Sequence, residues 1–292
     1  MSTPISKKAH RTNNAATGII YGLTGATLIL LAAIFLYVFY KAFHGFEWKL
    51  LSFTPEGIGN QFFNTVYMVF LALLFSVPLG VGAGIYMAEY AGVNKLTKAI
   101  RIAIETLSSL PSIVVGLFGY LVFILYVGAS WNMISGALAL AIINLPLLTT
   151  VTEDAFRALP DHYRSGSLAL GATRWQTITR VLLPTAASRM ITGVVLAAGR
   201  CFGEAAALLY TAGMSTDLNW SNWDLSSPTC PLNPIRPSET LALKIWSSRT
   251  ESLATNAASL ADVSSAALLL LVLIFGFLAR YLAHRLDRLK DI

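Results

Sequence analysis

TLSSLPSIVVGLFGYLVFILYVGASWNMISGALALAIINLPLLTTVT, residues 106–152, contains no Asp, Glu, Lys or Arg. A helix rises ~1.5 Å per residue, so ~20 apolar residues cross a ~30 Å hydrocarbon core. The run is more than twice that length and must fold back on itself. Gly128-Ala129-Ser130-Trp131-Asn132 supplies turn residues at its middle. The spacing predicts two membrane spans, 106–127 and 133–152, joined by a tight turn.

Working outward, residues 17–40 form a charge-free run too long for the ~7–15-residue apolar core of a signal peptide. Residues 57–88 form another, polar at its start, so the span is expected from Phe62. A fifth span is expected over 188–213 and a sixth over 262–279. Pro78, Pro111 and Pro146 lie in or beside spans, where they kink helices more often than they end them. Gly80, Gly82 and Gly84 allow close helix approach, with direct substrate contact as the other reading.

Only 36 of 292 residues are Asp, Glu, Lys or Arg, which is 12% against about 25% in soluble domains. The AVILMFWYC set makes up 55% and mean hydropathy is +0.63. That exterior faces something other than water. It excludes an ordinary soluble enzyme, a disordered chain and a disulfide scaffold, and it argues against a nucleic-acid partner despite the net charge of +6.

The expected fold is an all-α integral membrane protein with six transmembrane helices. Its parts are an N-terminal arm (1–16), a first helix (17–42), a core of five helices (62–285) and a tail (286–292). The core includes an elbow (157–185) and an external loop (214–261). Fifteen Lys and Arg fall on one side: three in the arm, three in the 95–101 loop, five from 157 to 189 and four from 280 to 290. Five fall on the other side: Lys41, Lys49, Arg236, Lys244 and Arg249. The positive-inside rule places both termini in the cytoplasm. Trp48, Trp131, Trp220, Trp223 and Trp246 fall on the outer side. Cys201 lies in an apolar run and Cys230 in a polar loop, so no disulfide is expected between them.

No phosphate-binding glycine loop, zinc-protease motif or nucleophile elbow occurs, and the four His are scattered. The chain has no visible catalytic set and no cofactor of its own. Chemistry would come from a partner.

The elbow is the most informative segment. Asp161 is a plausible N-cap for a helix through Leu170, and Gly171 fits a left-handed C-terminal cap. Thr173 with Gln176 reads as a capping box. A second helix carries Ile178, Val181 and Leu182, with Pro184 expected to close it. Two short helices at a cytoplasmic glycine bend can pass a push to the spans on either side.

Gly171, then nine residues, then Val181-Leu182-Leu183-Pro184 resembles the EAA-type coupling loop of ABC importer permeases, with Ser165-Gly166-Ser167 in place of Glu-Ala-Ala. Gly84-Ile85-Tyr86-Met87-Ala88-Glu89-Tyr90 and Leu110-Pro111-Ser112-Ile113-Val114-Val115-Gly116-Leu117-Phe118 are similar to the phosphate-transporter permease family, closer to its PstA type than to PstC. Arg200-Cys201-Phe202-Gly203-Glu204-Ala205-Ala206-Ala207-Leu208-Leu209 resembles the family's R-x-x-G-E-T-A-P-L-L, with Ala205 and Ala207 departing.

The resemblance implies a type I importer-like permease in the bacterial inner membrane, surrounded by lipid. It implies a second, PstC-like permease, a PstB-like ATPase dimer that carries ATP and Mg, and a PstS-like phosphate-binding protein. It also implies that Arg164, Ser165, Gly166, Ser167 and Gly171 belong to the surface that couples to the ATPase.

Arg200 and Glu204 are the only charges between Arg189 and Asp217. Arg200 lies eleven residues past Arg189, which is ~16 Å and near the midplane. Burying an Arg there costs ~2.5–3.5 kcal/mol even on a lenient scale. Glu204, four residues on, is expected on the same helical face. One reading is a structural pair. The other places Arg200 on the path of an anion, since a guanidinium matches phosphate oxygens. In the outer loop, Ser238 is a possible cap for a helix through Trp246. The loop either contacts a solute-binding protein or is a solvated lid. Two alternatives stand beside phosphate import: a permease for another oxyanion or small solute, and an ATP-independent carrier or channel.

Overall fold

A computed structural model describes residues 7–54, 57–92, 94–214, 217–251 and 256–288, with side chains described within 11–281. The first six residues of the expected arm and residues 289–292 of the tail lie outside it. Among the described residues every regular element is helical. These are α1 (Lys7–His44), α2 (Gly59–Ile85), α3 (Lys95–Ser109), α4 (Ser112–Gly119), α5 (Met133–Arg157), α6 (His162–Ala169), α7 (Arg174–Thr177), α8 (Leu183–Gly203), α9 (Ala206–Thr211), α10 (Leu241–Thr250) and α11 (Ala257–Arg288). Wide π turns follow α2 (Tyr86–Tyr90), α4 (Tyr120–Tyr126) and α7 (Ile178–Leu182).

Five helices are long and apolar enough to cross a membrane, and a bent pair makes up to six. α5 is the central post, with 61% of its most apolar stretch buried, whereas none of that stretch is buried in α1. Among the described residues α1 packs mainly along α11, and most of its surface is left exposed. The core lies between α2, α5, α8 and α11, where Met68, Ala72, Met133, Leu140, Ala198 and Phe202 are buried together.

Small residues set the helix spacing. A Cβ on Gly84 would sit 2.5 Å from Thr152 Cβ, and one on Gly80 would sit 2.6 Å from Leu148 Cβ. Gly82, on the opposite side, meets nothing within 4 Å. The packing reading of this glycine stretch therefore holds for the two glycines that face α5. Gly193 of α8 meets Val151 in the same way. With no hydrophobic drive between helices in lipid, such close approach is what holds spans together.

Pro78 and Pro146 sit inside continuous helices. Pro111 does more than kink. The expected single span 106–127 is instead α3 and α4, bent by 104°. Leu110, the residue before proline, is extended at ψ 132, because the proline ring disfavours helical geometry there. Residues 112–126 then rise only ~22 Å. α3 is amphipathic, with Leu96, Ile100, Ala103 and Leu107 along one stripe and Lys98, Arg101 and Glu105 opposite. None of its residues is buried.

Three further expectations are corrected. Pro184 does not close a helix: residues 174–203 run as one span, and Pro184 lies in the first turn of α8, where its missing N–H costs little. Asp161 precedes α6 but makes no side-chain cap; its carboxylate lies 3.3 Å from Arg164. Thr240, not Ser238, caps α10, accepting from the Leu243 N–H. Cys201 and Cys230 are both buried and free.

Candidate transport path and coupling elbow

The elbow is built as its local signals require. Gly171 has φ +83°, the left-handed region that glycine enters without a Cβ clash. Thr173 Oγ1 accepts from the Gln176 N–H (3.2 Å), and Gln176 Oε1 accepts from the Thr173 N–H (2.8 Å), which completes the capping box. The Ser167 and Thr177 hydroxyls, 2.9 Å apart, tie the two short helices together. Ile178 and Leu182 are buried with Phe156, Ala186 and Met190 against Val81 and Ile85 of α2.

The five residues assigned to coupling do not share one surface. Ser165, Gly166 and Gly171 are exposed, while Ser167 faces the second helix. Arg164 turns inward. Its Nε and Nη2 donate to Glu89 Oε1 at 3.0 and 2.8 Å, Nη2 also donates to Phe156 O (2.8 Å), and Nη1 donates to Leu159 O (3.1 Å). The outward face carries Leu168, Leu170 and Trp175, with Leu170 91% exposed. Sequence reading missed these three, although two Leu and a Trp in a water-facing loop are a signal of an unburied apolar patch.

Beside the elbow, Glu153 near the end of α5 accepts from Arg101 of α3 (2.8 Å) and Arg157 (2.9 Å). Arg157 also reaches Met87 O at 3.2 Å. Three arginines thus bind the cytoplasmic ends of α2, α3, α5 and α6.

α8 ends at Gly203. Glu204 is extended at ψ 106 and the chain restarts as α9. The two charges therefore do not share a helical face. The break lets α9 turn onto α4 and α5, where Gly116 would place a Cβ 2.8 Å from Ala207 Cα and Gly136 one 2.9 Å from Ala212 Cβ. Arg200 still meets Glu204, Nε to Oε1 at 3.4 Å. Arg200 occupies the last turn of α8, where helix carbonyls favour a cation. Its side chain is 41% exposed and that of Glu204 is 15% exposed. The guanidinium is thus only partly covered by the described residues. Behind it, Asn144 of α5, fully buried, donates to Cys201 Sγ at 2.9 Å and leaves its own Oδ1 without a partner.

The outer loop holds a polar lock that sequence reading did not find. Arg236 is 1% exposed. It donates to Asn64 Oδ1 (2.6 Å) and to the carbonyls of Cys230, Pro231 and Pro237. Burial lowers its pKa to about 10, opposed by Tyr67 and Cys230, so it stays charged at pH 7. Buried Glu239 accepts from Gln61 (3.0 Å) and Ser247 (3.0 Å), with Lys244 at 3.5 Å. The polar opening of the 57–88 run, Asn60 to Thr65, is the other half of this lock. It fastens the loop onto α2. Among the described residues no group of His, Cys, Asp and Glu is placed to hold a metal ion.

A break in a membrane helix beside a charged pair and a two-helix elbow at the other end of the spans are the two features that the comparisons bear on. The family model described as binding-protein-dependent transport system inner membrane component matches residues 80–291, and the chain belongs to that family. It is 45% identical over 279 residues to the probable ABC transporter permease protein YqgI of Bacillus subtilis, covering 93% of this chain and 95% of that one. It is 32% identical over 250 residues to the phosphate transport system permease protein PstA 2 of Mycobacterium bovis, covering 82% and 78%. The fold matches a chain of the crystal structure of a bacterial alginate ABC transporter in complex with alginate pentasaccharide-bound periplasmic protein, with TM-score 0.66, 13% identity and coverage of 95% and 96%. The chain is an ABC importer permease subunit, a multi-pass protein of the bacterial inner membrane.

Proposed function

We propose that this permease imports inorganic phosphate, forming half of a translocation path whose other half is a second, PstC-like permease. The observation that carries the reading is Arg200: a guanidinium on an apolar span, partly exposed and held by one carboxylate at 3.4 Å. A charge so placed is costly against lipid. Against a second permease lining a watery path it meets an anion instead. Glu204 holds it between passages, and a phosphate oxyanion competes for the fork. The likeness to PstA 2 supports phosphate as the cargo.

The elbow receives the push of a PstB-like ATPase dimer, which carries ATP and Mg; this chain holds no cofactor. Its exposed Leu168, Leu170 and Trp175 are the apolar part of the docking face, with Ser165, Gly166 and Gly171 beside them. A PstS-like phosphate-binding protein delivers cargo to the locked outer loop. The test is uptake into vesicles carrying the assembled transporter, with phosphate in competition against sulfate and molybdate. Phosphate is expected to be preferred and uptake to need ATP. Preference for another oxyanion, or transport by this chain alone without an ATPase, would overturn the reading.

A further inference from the structure

We infer that Glu89 and Arg164 form the mechanical link through which movement of the coupling elbow reaches α2, making both positioning residues for transport. The inference rests on the reading that the elbow receives an ATPase. It goes beyond it by naming which span takes the load and through which atoms.

The geometry is specific. Glu89 lies in the π turn Tyr86–Tyr90 that ends α2, and its side chain is 7% exposed. Arg164 comes from α6, seventy-five residues on, and puts two N–H groups on the same carboxylate oxygen at 2.8 and 3.0 Å. The rest of its fork is held by Phe156 O and Leu159 O, so the guanidinium has a single permitted orientation. A shielded, multiply donated carboxylate–guanidinium pair keeps its geometry where an exposed pair would not. The second elbow helix grips the same turn: Arg174 lies over the Tyr90 ring, 5.3 Å from its centroid. Ile178 and Leu182 then pack on Val81, Ile85 and Ala88. Both elbow helices are therefore fastened to one end of α2, in addition to their covalent connection to α5 and α8.

α2 is suited to carry such a load. Its outer end is locked to Glu239 and Arg236 through Gln61 and Asn64. Its middle is keyed to α5, whose Leu148 and Thr152 side chains sit against Gly80 and Gly84. A push on the elbow thus reaches α2 and, along that helix, the outer loop. Without the Glu89–Arg164 link, the elbow would be driven while α2 lagged.

The test uses the complete transporter in vesicles and measures phosphate uptake and ATP hydrolysis together. Glu89→Gln and Arg164→Gln are each expected to lower the phosphate moved per ATP about tenfold, a ratio that separates lost coupling from lost protein. Arg164→Lys, which keeps the charge toward Glu89 but loses the planar fork, is expected to recover that ratio only in part, between the Gln variant and wild type. A brace that only held the fold would lower uptake and hydrolysis in step. A proportional fall, or no change in either single variant, overturns the proposal. Leu170→Glu checks the underlying reading separately, because an acidic residue on the apolar face should release the ATPase during purification. If the ATPase stays bound and uptake is normal, the elbow is not the docking face, whatever the coupling ratio shows.

Discussion

Arg200 and Arg236 are both arginines in or beside the bilayer, and their surroundings assign them opposite tasks. Arg236 is buried and makes four hydrogen bonds to fixed acceptors. Arg200 has one carboxylate and open space. Arg200→Gln is expected to lower phosphate uptake at least ~10-fold, about 1.4 kcal/mol in the transport barrier, at unchanged membrane level. Arg200→Lys should fall between, since an ammonium keeps the charge and loses the planar fork. Normal uptake by the Gln variant would sink the assignment. Arg236→Ala should act on stability. It strands Asn64 Oδ1 and three carbonyls, at roughly 1–3 kcal/mol for each acceptor left buried without a donor. The readouts are a lower thermal midpoint in detergent and faster external proteolysis within residues 217–238.

Among the elements, the α2–α5 contact carries the sharpest prediction. Gly84→Val would drive a branched side chain into Thr152 Cβ and the Thr149 carbonyl oxygen, 2.5 and 2.7 Å from the added Cβ. Overpacking of this kind costs about 1–3 kcal/mol. Gly82→Val, which meets nothing, serves as the matched control. A clear fall in thermal midpoint for the first and none for the second is expected. Pro111 shows how one residue reshapes an element. Charge patterning makes 106–127 look like one span, yet the ring forces Leu110 out of helix and turns α3 through 104° relative to α4. The charged stripe of α3 is then placed where Arg101 reaches Glu153. The break after Gly203 is of the other sort. No proline stands there, and the chain leaves the helix so that α9 can use the space above Gly116 and Gly136.

At the scale of the molecule, α1 is largely exposed, and Leu117, Tyr120, Trp131, Leu209 and Tyr210 line an apolar cavity of about 550 Å³ at the outer end. As a subunit of the binding-protein-dependent permease family, the chain is expected to work within a larger assembly. The purified complex is expected to contain one copy of this chain, one second permease and two ATPase subunits, read as intact mass. A homodimer of this chain, or a monomer active in liposomes, would contradict that composition.

The helical membrane class, the elbow with its glycine bend and capping box, and Arg200 with Glu204 as a charged pair in an apolar run were readable from the residues. Each rests on local or additive physics: helix rise against bilayer thickness, charge bias, φ at one glycine, or the cost of a buried charge. The sequence alone also settled that the chain is no soluble enzyme, because 36 charges cannot coat a 292-residue surface. What it left open depends on partners distant in the chain. Glu89 meets Arg164 across seventy-five residues, and Gln61 meets Glu239 across one hundred and seventy-eight. No pattern within a window of either residue encodes those meetings. They exist because α2 packs along α5 through two glycines, which brings its cytoplasmic end to the elbow and its outer end to the loop. That shared contact decided which charges became locks, which became a link, and which one was left facing the path.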